Sequence, residues 1–167
     1  DEWTLPGCDP VEYLDRVGYL RSGMLAVHGV HLHDAGLERL RDAGGVLVTC
    51  PRSNEWVGAG MPPVARFYAS GVPVAIGTDS LASVGSLNLF DELAELRRIG
   101  PDVSAASLLD SATRVGAEAL GFGADYGTIA PGRKAALIAV DIPPGTADVE
   151  EYLVSGVRPA AVHRLGA

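Results

Sequence analysis

Three short apolar runs, each followed by a helical pattern, are the feature that most constrains the fold of this chain. The runs are MLAVH (24–28), VLVTC (46–50) and PVAIG (73–77). Their apolar residues stand at consecutive positions instead of alternating with polar ones, which is typical of parallel strands that helices cover on both faces. The alternation of strand and helix over the first hundred residues therefore predicts an α/β fold.

Helices are predicted from apolar spacing and end signals over 9–22, 34–45, 61–71 and 86–100, with one or two more over 104–123. We expect Asp34 to cap the helix that it begins. The prolines of 61–71 are expected in the first turn of that helix, where no backbone amide bond is lost. The helix over 86–100 has one apolar face, formed by Leu89, Phe90, Leu93 and Leu96.

The last part of the chain has a different pattern. A Pro-Gly turn at 131–132, a predicted strand over 136–140 and short β-like runs over 151–167 replace the strand–helix alternation. We therefore expect two units, one over 1–124 and a smaller one over 125–167.

Charge and composition argue against several classes of protein. The formal net charge is −8, which repels phosphate backbones and disfavours nucleic-acid binding. There is no basic run for an anionic membrane surface, and no apolar segment approaches the ~20 residues that a membrane-spanning helix needs. Two cysteines, Cys8 and Cys50, form neither a CxxC pair nor a disulfide framework. These features predict a cytoplasmic protein that binds neither nucleic acid nor membrane.

Polar residues with catalytic chemistry follow each apolar run. His28 ends the first run, the segment CPRSN (50–54) ends and follows the second, and Asp79 comes shortly after the third. Because the carboxyl ends of parallel strands face the same side of a sheet, we expect these residues at one mouth. Imidazole and carboxylate groups both bind Zn²⁺, so the pattern is consistent with a catalytic metal site.

Each of these residues also has a purely structural interpretation. His28 could be a hydrogen-bonded structural histidine, Asp79 could cap the next helix through DSLAS, and the Ser and Asn of CPRSN are common turn residues. Cys50 has no nearby base in the sequence, so it is not expected to be a nucleophile. The remaining histidines are expected in loops: His31, His33 and His163.

Three stretches resemble, in order and spacing, the C-terminal half of the amidohydrolase superfamily. They are LAVHGVHL (25–32), VLVTCPRSNEWVGAGMPPVARFYASGVPVAIGTDSLAS (46–83) and DSATRVGAEALGFGADYGTIAPGRKAALIAVD (110–141). The branch that they resemble contains cytosine deaminases, guanine deaminases and triazine hydrolases, together with adenosine-homocysteine and aminofutalosine deaminases.

The resemblance implies a fold. Residues 1–124 would be the last three βα units of a (β/α)₈ TIM-like barrel, strands six to eight with their helices, and 125–167 would be the C-terminal part of a small β-sandwich. The HxH after the family's first strand, and the His and Glu after its fifth, have no counterpart here. His31 and His33 spell HxH, but they follow the sixth-strand position and are not read as that pair. The chain thus resembles a C-terminal segment of a complete enzyme.

The resemblance also implies roles for individual residues. His28 matches the histidine after the sixth strand, which contacts the attacking water or the substrate oxyanion. Asp79 matches the aspartate after the eighth strand, which binds the metal and accepts a proton from its water. Ser53 and Asn54 match a pair after the seventh strand that is structural or faces the substrate. Trp56 follows them and could stack on a heterocyclic substrate or only pack.

These matches predict a metal-dependent hydrolase or deaminase that acts on a C–N bond of a heterocyclic small molecule. Its cofactor would be a divalent metal, zinc or else iron, held in the complete enzyme. A catalytic zinc site takes three protein ligands, so this chain alone is expected to bind little or no metal and to be inactive.

Two other hypotheses stay open at this point. The chain could be a non-catalytic subunit or remnant that binds no metal and pairs with another chain, or a small self-contained α/β binding domain whose resemblance misleads. In a barrel, the sixth and eighth strands have neighbours that this chain lacks, so both would expose a sheet edge. We therefore expect association with the missing half of the barrel, or a homo-oligomer.

Overall fold

The computed structural model describes residues 6–165, which form a three-stranded parallel sheet with helices and a two-stranded antiparallel sheet. In chain order the elements are α1 (Pro10–Arg16), β1 (Leu25–Val27), α2 (Asp34–Asp42), β2 (Val46–Thr49), α3 (Pro51–Trp56), α4 (Val64–Ala69), β3 (Val74–Ile76), α5 (Leu89–Ile99), α6 (Ala105–Ala112), α7 (Arg114–Ala119), β4 (Leu137–Val140), α8 (Val149–Val154), a 3₁₀ turn (Pro159–Ala161) and β5 (Val162–Leu165). The predicted α/β class is confirmed. Within residues 6–165, no helix combines the length and the apolarity required to cross a membrane.

The parallel sheet has the order β1-β2-β3 and is held by fully buried side chains. Leu37 and Leu40 of α2, together with Phe67 of α4, form one core with Leu47 of β2. Burying an apolar side chain of this size contributes about 1.5–3 kcal/mol. Because this core fixes β2 against its helices, the carboxyl end of the central strand has a defined position.

Two helix starts differ from the prediction. A residue that precedes proline is disfavoured in the helical conformation, so Pro62 stays outside α4 and Pro63 becomes its N-cap. The prolines therefore precede this helix and do not lie in its first turn. Asp34 is the first residue of α2 and not its cap, since His33 occupies the cap position with an extended backbone and no side-chain cap bond.

Helices α3 and α8 lie where the sequence predicts turn or strand. In α8 the carboxylate of Asp148 accepts a hydrogen bond from the amide of Glu151 at 2.9 Å. This Asp-x-x-Glu start resembles a capping box and outweighs the β-like composition of the segment. The expectation that His163 lies in a loop is also wrong, because His163 belongs to β5 and its Nε2 lies 2.8 Å from Oδ2 of Asp141.

The last part of the described chain contacts the first part through α8. Val154 of α8 is fully buried in a second core with Ile76 of β3 and with Leu93, Leu96 and Leu108 of the neighbouring helices. Strands β4 and β5 pair with each other in antiparallel fashion. The division into 1–124 and 125–167 stays a prediction, and its ends at 1–5 and 166–167 lie outside the described residues.

Strand β1 forms an open edge of the parallel sheet. Among residues 6–165 it pairs with β2 alone, and its residues Leu25 and Val27 are 36% and 50% exposed. At the other edge, all three residues of β3 are buried. Within residues 6–165 β3, like β1, pairs with β2 alone, so both strands have one unpaired edge, as expected. The two edges differ in their side chains, which are exposed at β1 and covered at β3.

Candidate active site

The ends of the three parallel strands bring four of the predicted site residues together. His28 follows β1, Ser53 and Asn54 lie on α3 directly after β2, and Asp79 comes three residues after the end of β3. All four line one cavity of about 480 Å³. Several of its other wall residues are apolar, among them Val27, Val30, Val57 and Ala59. The cavity thus combines a small polar floor with apolar walls, as small-molecule sites do.

His28 and Asp79 both have a left-handed backbone, with φ of 72° and 62°. They are the two non-glycine residues with positive φ in the described part of the chain. For a residue with a side chain this conformation costs roughly 1–3 kcal/mol and persists where the surroundings hold it. The amide of His28 donates to the carbonyl of Val48 at 2.8 Å, which ties this turn to β2. Strain of this kind concentrates at functional sites, and here both strained residues border one cavity.

The carboxylate of Asp79 is surrounded by donors. Its Oδ2 lies 2.6 Å from Oγ of Ser53 and 3.1 Å from Oγ of Ser83, and its Oδ1 accepts from the amide of Ser80 at 2.9 Å. The hydrogen bonds from Ser53 and Ser83 lower the pKa of Asp79 below its ordinary value, so the group is ionised near neutral pH. The interpretation of Asp79 as a helix cap is wrong, because the next helix starts ten residues later with Asn88 as its cap.

The imidazole of His28 is oriented by Asn54. Its Nδ1 lies 2.7 Å from Oδ1 of Asn54, and an amide oxygen can only accept a hydrogen bond, so Nδ1 carries a proton. The other ring nitrogen, Nε2, then faces Oδ2 of Asp79 at 4.0 Å. Asn54 is fully buried, so the side chain that orients the ring is itself held in place. The arrangement leaves Nε2 as the atom that can meet a substrate or water beside the carboxylate.

Sequence reasoning did not single out Ser83, Arg52 or Glu92, which surround the site. Ser83 is buried and its Oγ also lies 2.9 Å from Oγ of Ser53. Glu92 is fully buried on α5, and its carboxylate faces Arg52 of α3. A charged residue between Leu89, Leu93 and Leu96 on the apolar face of α5 was the signal that could have identified it.

Other candidates lie apart from the four residues. Trp56 does not line their cavity; it is 72% exposed and lines a second groove with Arg52 and Arg98. Its role in substrate binding stays a prediction. His31 and His33 lie in the segment before α2, as expected for loop residues, and His31 borders the cavity.

The donor chemistry of the site fits part of a metal centre. A carboxylate and an imidazole nitrogen are both ligands that zinc accepts. Among residues 6–165 there is no group of three or more His, Cys, Asp or Glu side chains placed to hold a metal ion. Cys50 lies behind the site, and burial raises the pKa of its thiol to about 11, so it stays protonated and unreactive.

Residues 4–162 match the amidohydrolase family. The chain belongs to the amidohydrolase family. It is 38% identical over 143 residues to the 5-methylthioadenosine/S-adenosylhomocysteine deaminase of Natronomonas pharaonis, which covers 81% of this amidohydrolase chain and 33% of that protein. It is 37% identical over 116 residues to the aminodeoxyfutalosine deaminase of Deinococcus radiodurans, covering 70% of the chain and 28% of that protein.

The structure is also similar to an adenosine deaminase from Xanthomonas campestris that was solved with bound zinc. The TM-score is 0.87 and the identity 32%, over 94% of this chain and 38% of that one. The predicted family and branch are confirmed, which removes the hypothesis of an unrelated α/β binding domain. The amidohydrolase chain spans about a third of the length of the curated relatives it matches. A cytoplasmic location and a homo-oligomeric state stay predictions.

Proposed function

We propose that this amidohydrolase chain supplies βα units six to eight of a complete barrel, and with them one wall of a metal-dependent hydrolytic site. One observation carries the proposal. The carboxylate of Asp79, which accepts a hydrogen bond from Ser53, lies 4.0 Å from the free Nε2 of a histidine whose other nitrogen is fixed by Asn54. An oriented base and an oriented imidazole at one cavity are what water addition to a substrate requires.

Asp79 is the residue that would hold the metal, which we propose to be zinc, with iron as the alternative. When bound, such an ion lowers the pKa of water and polarises the bond that is attacked. A catalytic zinc site takes three protein ligands. The remaining ligands would therefore come from barrel units other than those formed by residues 6–165.

The proton steps follow from the two side chains. Asp79 takes a proton from the attacking water as the water oxygen bonds to the ring carbon that carries the amine. The same proton then passes to the amine nitrogen, the C–N bond breaks, and ammonia leaves with oxygen in its place. His28 presents Nε2, which accepts a hydrogen bond from the attacking water and orients it beside the carboxylate. A positioned acid–base group of this kind typically contributes about 10²–10⁴ in rate.

The substrate we propose is an amine-bearing heterocycle of the aminopurine type. The named relatives act on compounds of adenosine, and the cavity, at about 480 Å³, lies within the size range of small-molecule sites. Its apolar wall, including Val57 and Ala59, suits the face of a planar ring. In this proposal Ser53 orients Asp79 and Asn54 orients His28. Trp56 lies outside the cavity.

The test is ammonia release by the complete enzyme that contains this chain, measured on aminopurine nucleosides with and without a metal chelator. Asp79→Asn should lower turnover by several orders of magnitude and lower the zinc content, because an amide cannot accept the proton near neutral pH. Asp42→Asn, at an exposed position of α2, is the matched control and should leave both unchanged. If Asp79→Asn keeps normal turnover and zinc, the proposal fails and a non-catalytic subunit is the better description.

A further inference from the structure

A pairing of the buried carboxylate of Glu92 with the partly exposed Arg52 lies behind the site, between α3 and α5. Glu92 is fully buried, and its Oε2 accepts a hydrogen bond from the backbone amide of Arg52 at 3.3 Å. Its Oε1 lies 3.4 Å from Nη1 of the same arginine. One carboxylate thus contacts both the backbone and the side chain of a single residue in the first turn of α3.

The guanidinium of Arg52 continues toward the segment that joins β3 to α5. Nη1 donates to the carbonyl of Ser86 at 3.3 Å and lies 3.5 Å from Oδ2 of Asp91. Ser86 and Asp91 are in turn hydrogen-bonded to each other. Since Asp79 and Ser83 belong to the same β3–α5 segment, Arg52 connects that segment to α3 at a second point beyond the Ser53–Asp79 contact.

The two residues that follow Arg52 orient the two proposed catalytic side chains. Ser53 holds the carboxylate of Asp79, and Asn54 holds the ring of His28. A small rotation of the first turn of α3 would displace both contacts at once. Misplacement of a reacting group by about 1 Å can cost 10²-fold in rate, so the rigidity of this turn matters for the chemistry.

Resting on the function proposed above, we propose that Arg52 and Glu92 are positioning residues for the hydrolytic reaction. They touch neither the cavity formed around His28 and Asp79 nor the reacting atoms. They act by locking the first turn of α3 to α5 and to the β3–α5 segment. A buried ion pair is often no more stabilising than apolar residues of the same volume, which makes positional specificity the better explanation for its presence.

The test compares three variants with one control in the complete enzyme. Arg52→Met and Glu92→Gln should lower kcat by about 10- to 100-fold, the size expected for groups that orient catalytic residues, with the zinc content retained. Because uniform substrate binding is not affected, KM should stay within about twofold. Arg52→Lys should recover only part of the rate, since an ammonium cannot reproduce the planar guanidinium fork. Arg98→Met is the control, because Arg98 borders the same groove as Trp56 and Arg52 but, among residues 6–165, forms its ion pair with Glu95 of its own helix α5.

Hydrogen exchange supplies a readout that does not depend on turnover. The amide of Asn54 donates to the carbonyl of Cys50 at 3.0 Å and reports on the first turn of α3. Its exchange should be faster in Arg52→Met than in the wild type and unchanged in Arg98→Met. If the wild-type enzyme shows no hydrolysis, the proposed function fails while exchange still tests the ion pair. If hydrolysis is present but folded Arg52→Met keeps its kcat and its Asn54 protection, the positioning role is refuted.

Discussion

The hydroxyl of Ser53 lies 2.6 Å from the carboxylate of Asp79, across the gap between the central strand and its neighbour. This contact joins the end of β2 to the end of β3. It lowers the pKa of Asp79 and holds a residue whose backbone is in the left-handed region. A hydroxyl two residues into a short helix therefore holds the proposed base in place and favours its ionised form.

Replacing Ser53 by alanine should lower kcat of the complete enzyme by about 10- to 100-fold, because a hydrogen bond that orients a catalytic carboxylate is lost. Ser83→Ala removes the longer bond of 3.1 Å and should have the smaller effect. Steady-state kinetics of both variants would be compared with Ser155→Ala on the exposed end of α8. Equal rates for Ser53→Ala and the control would contradict the role of this contact.

His28→Asn should lose most of the rate and keep the metal. Asparagine tolerates the left-handed backbone that this position requires, so the fold should be preserved. The lost imidazole would remove the acceptor that orients the attacking water beside the carboxylate, at a cost of about 10²–10⁴ in kcat. Zinc analysis together with turnover checks this, and loss of zinc with the rate would identify His28 as a ligand.

The chain should become less stable as pH rises from about 5 to 8, through Glu92. Burial raises the pKa of Glu92 from 4.5 to about 7, with Arg52 acting in the opposite direction and Asp91 adding to the rise. Between these values the native state holds a proton that the unfolded state has released, so the free energy of unfolding falls with pH. Thermal melts of Glu92→Gln should show a smaller fall. Glu150→Gln, on the exposed start of α8, should behave as the wild type.

The 167-residue chain alone should contain no stoichiometric zinc after dialysis. Its described residues bring together one carboxylate and one imidazole, and a catalytic zinc site takes three protein ligands. Elemental analysis of the purified chain is the measurement. About one zinc per chain that disappears in Asp79→Asn would show that the ligand set is already complete.

The chain alone should also associate through the free edge of β1, where Leu25 and Val27 are exposed. Val27→Lys should reduce the mean mass in light scattering, since lysine blocks pairing at exposed sheet edges. Ile129→Lys changes an apolar residue that is 88% exposed elsewhere and serves as the control. A monomer of the unchanged chain at high concentration would contradict this prediction.

Local sequence patterns were sufficient to predict the three parallel strands and most of the helices around them. Each strand lies inside its predicted run, because consecutive apolar residues demand cover on both faces. The convergence of His28 and Asp79 followed from strand ends that share one side of a sheet.

The elements that could not be predicted depend on contacts between distant residues. Helix α3 has the composition of a turn, and it is held by its buried Ser53 and Asn54, whose partners stand 26 positions away in the sequence. Arg52 and Glu92 are 40 positions apart, so no local pattern indicates their pairing. The placement of Trp56 in the second groove, beside Arg52, likewise depends on which face of α3 the sheet covers.

His28 directly follows strand β1, whose far side is unpaired within residues 6–165. A strand that pairs there would lie about 4.8 Å away and bring its own carboxyl end beside the imidazole. A slip of one residue in that pairing would turn the side chains of the incoming strand to the opposite face. Turnover by two separately made pieces of such a barrel would therefore depend on the register of the new strand pair as well as on association of the pieces. This edge is thus a suitable place to divide the enzyme for a split-enzyme sensor.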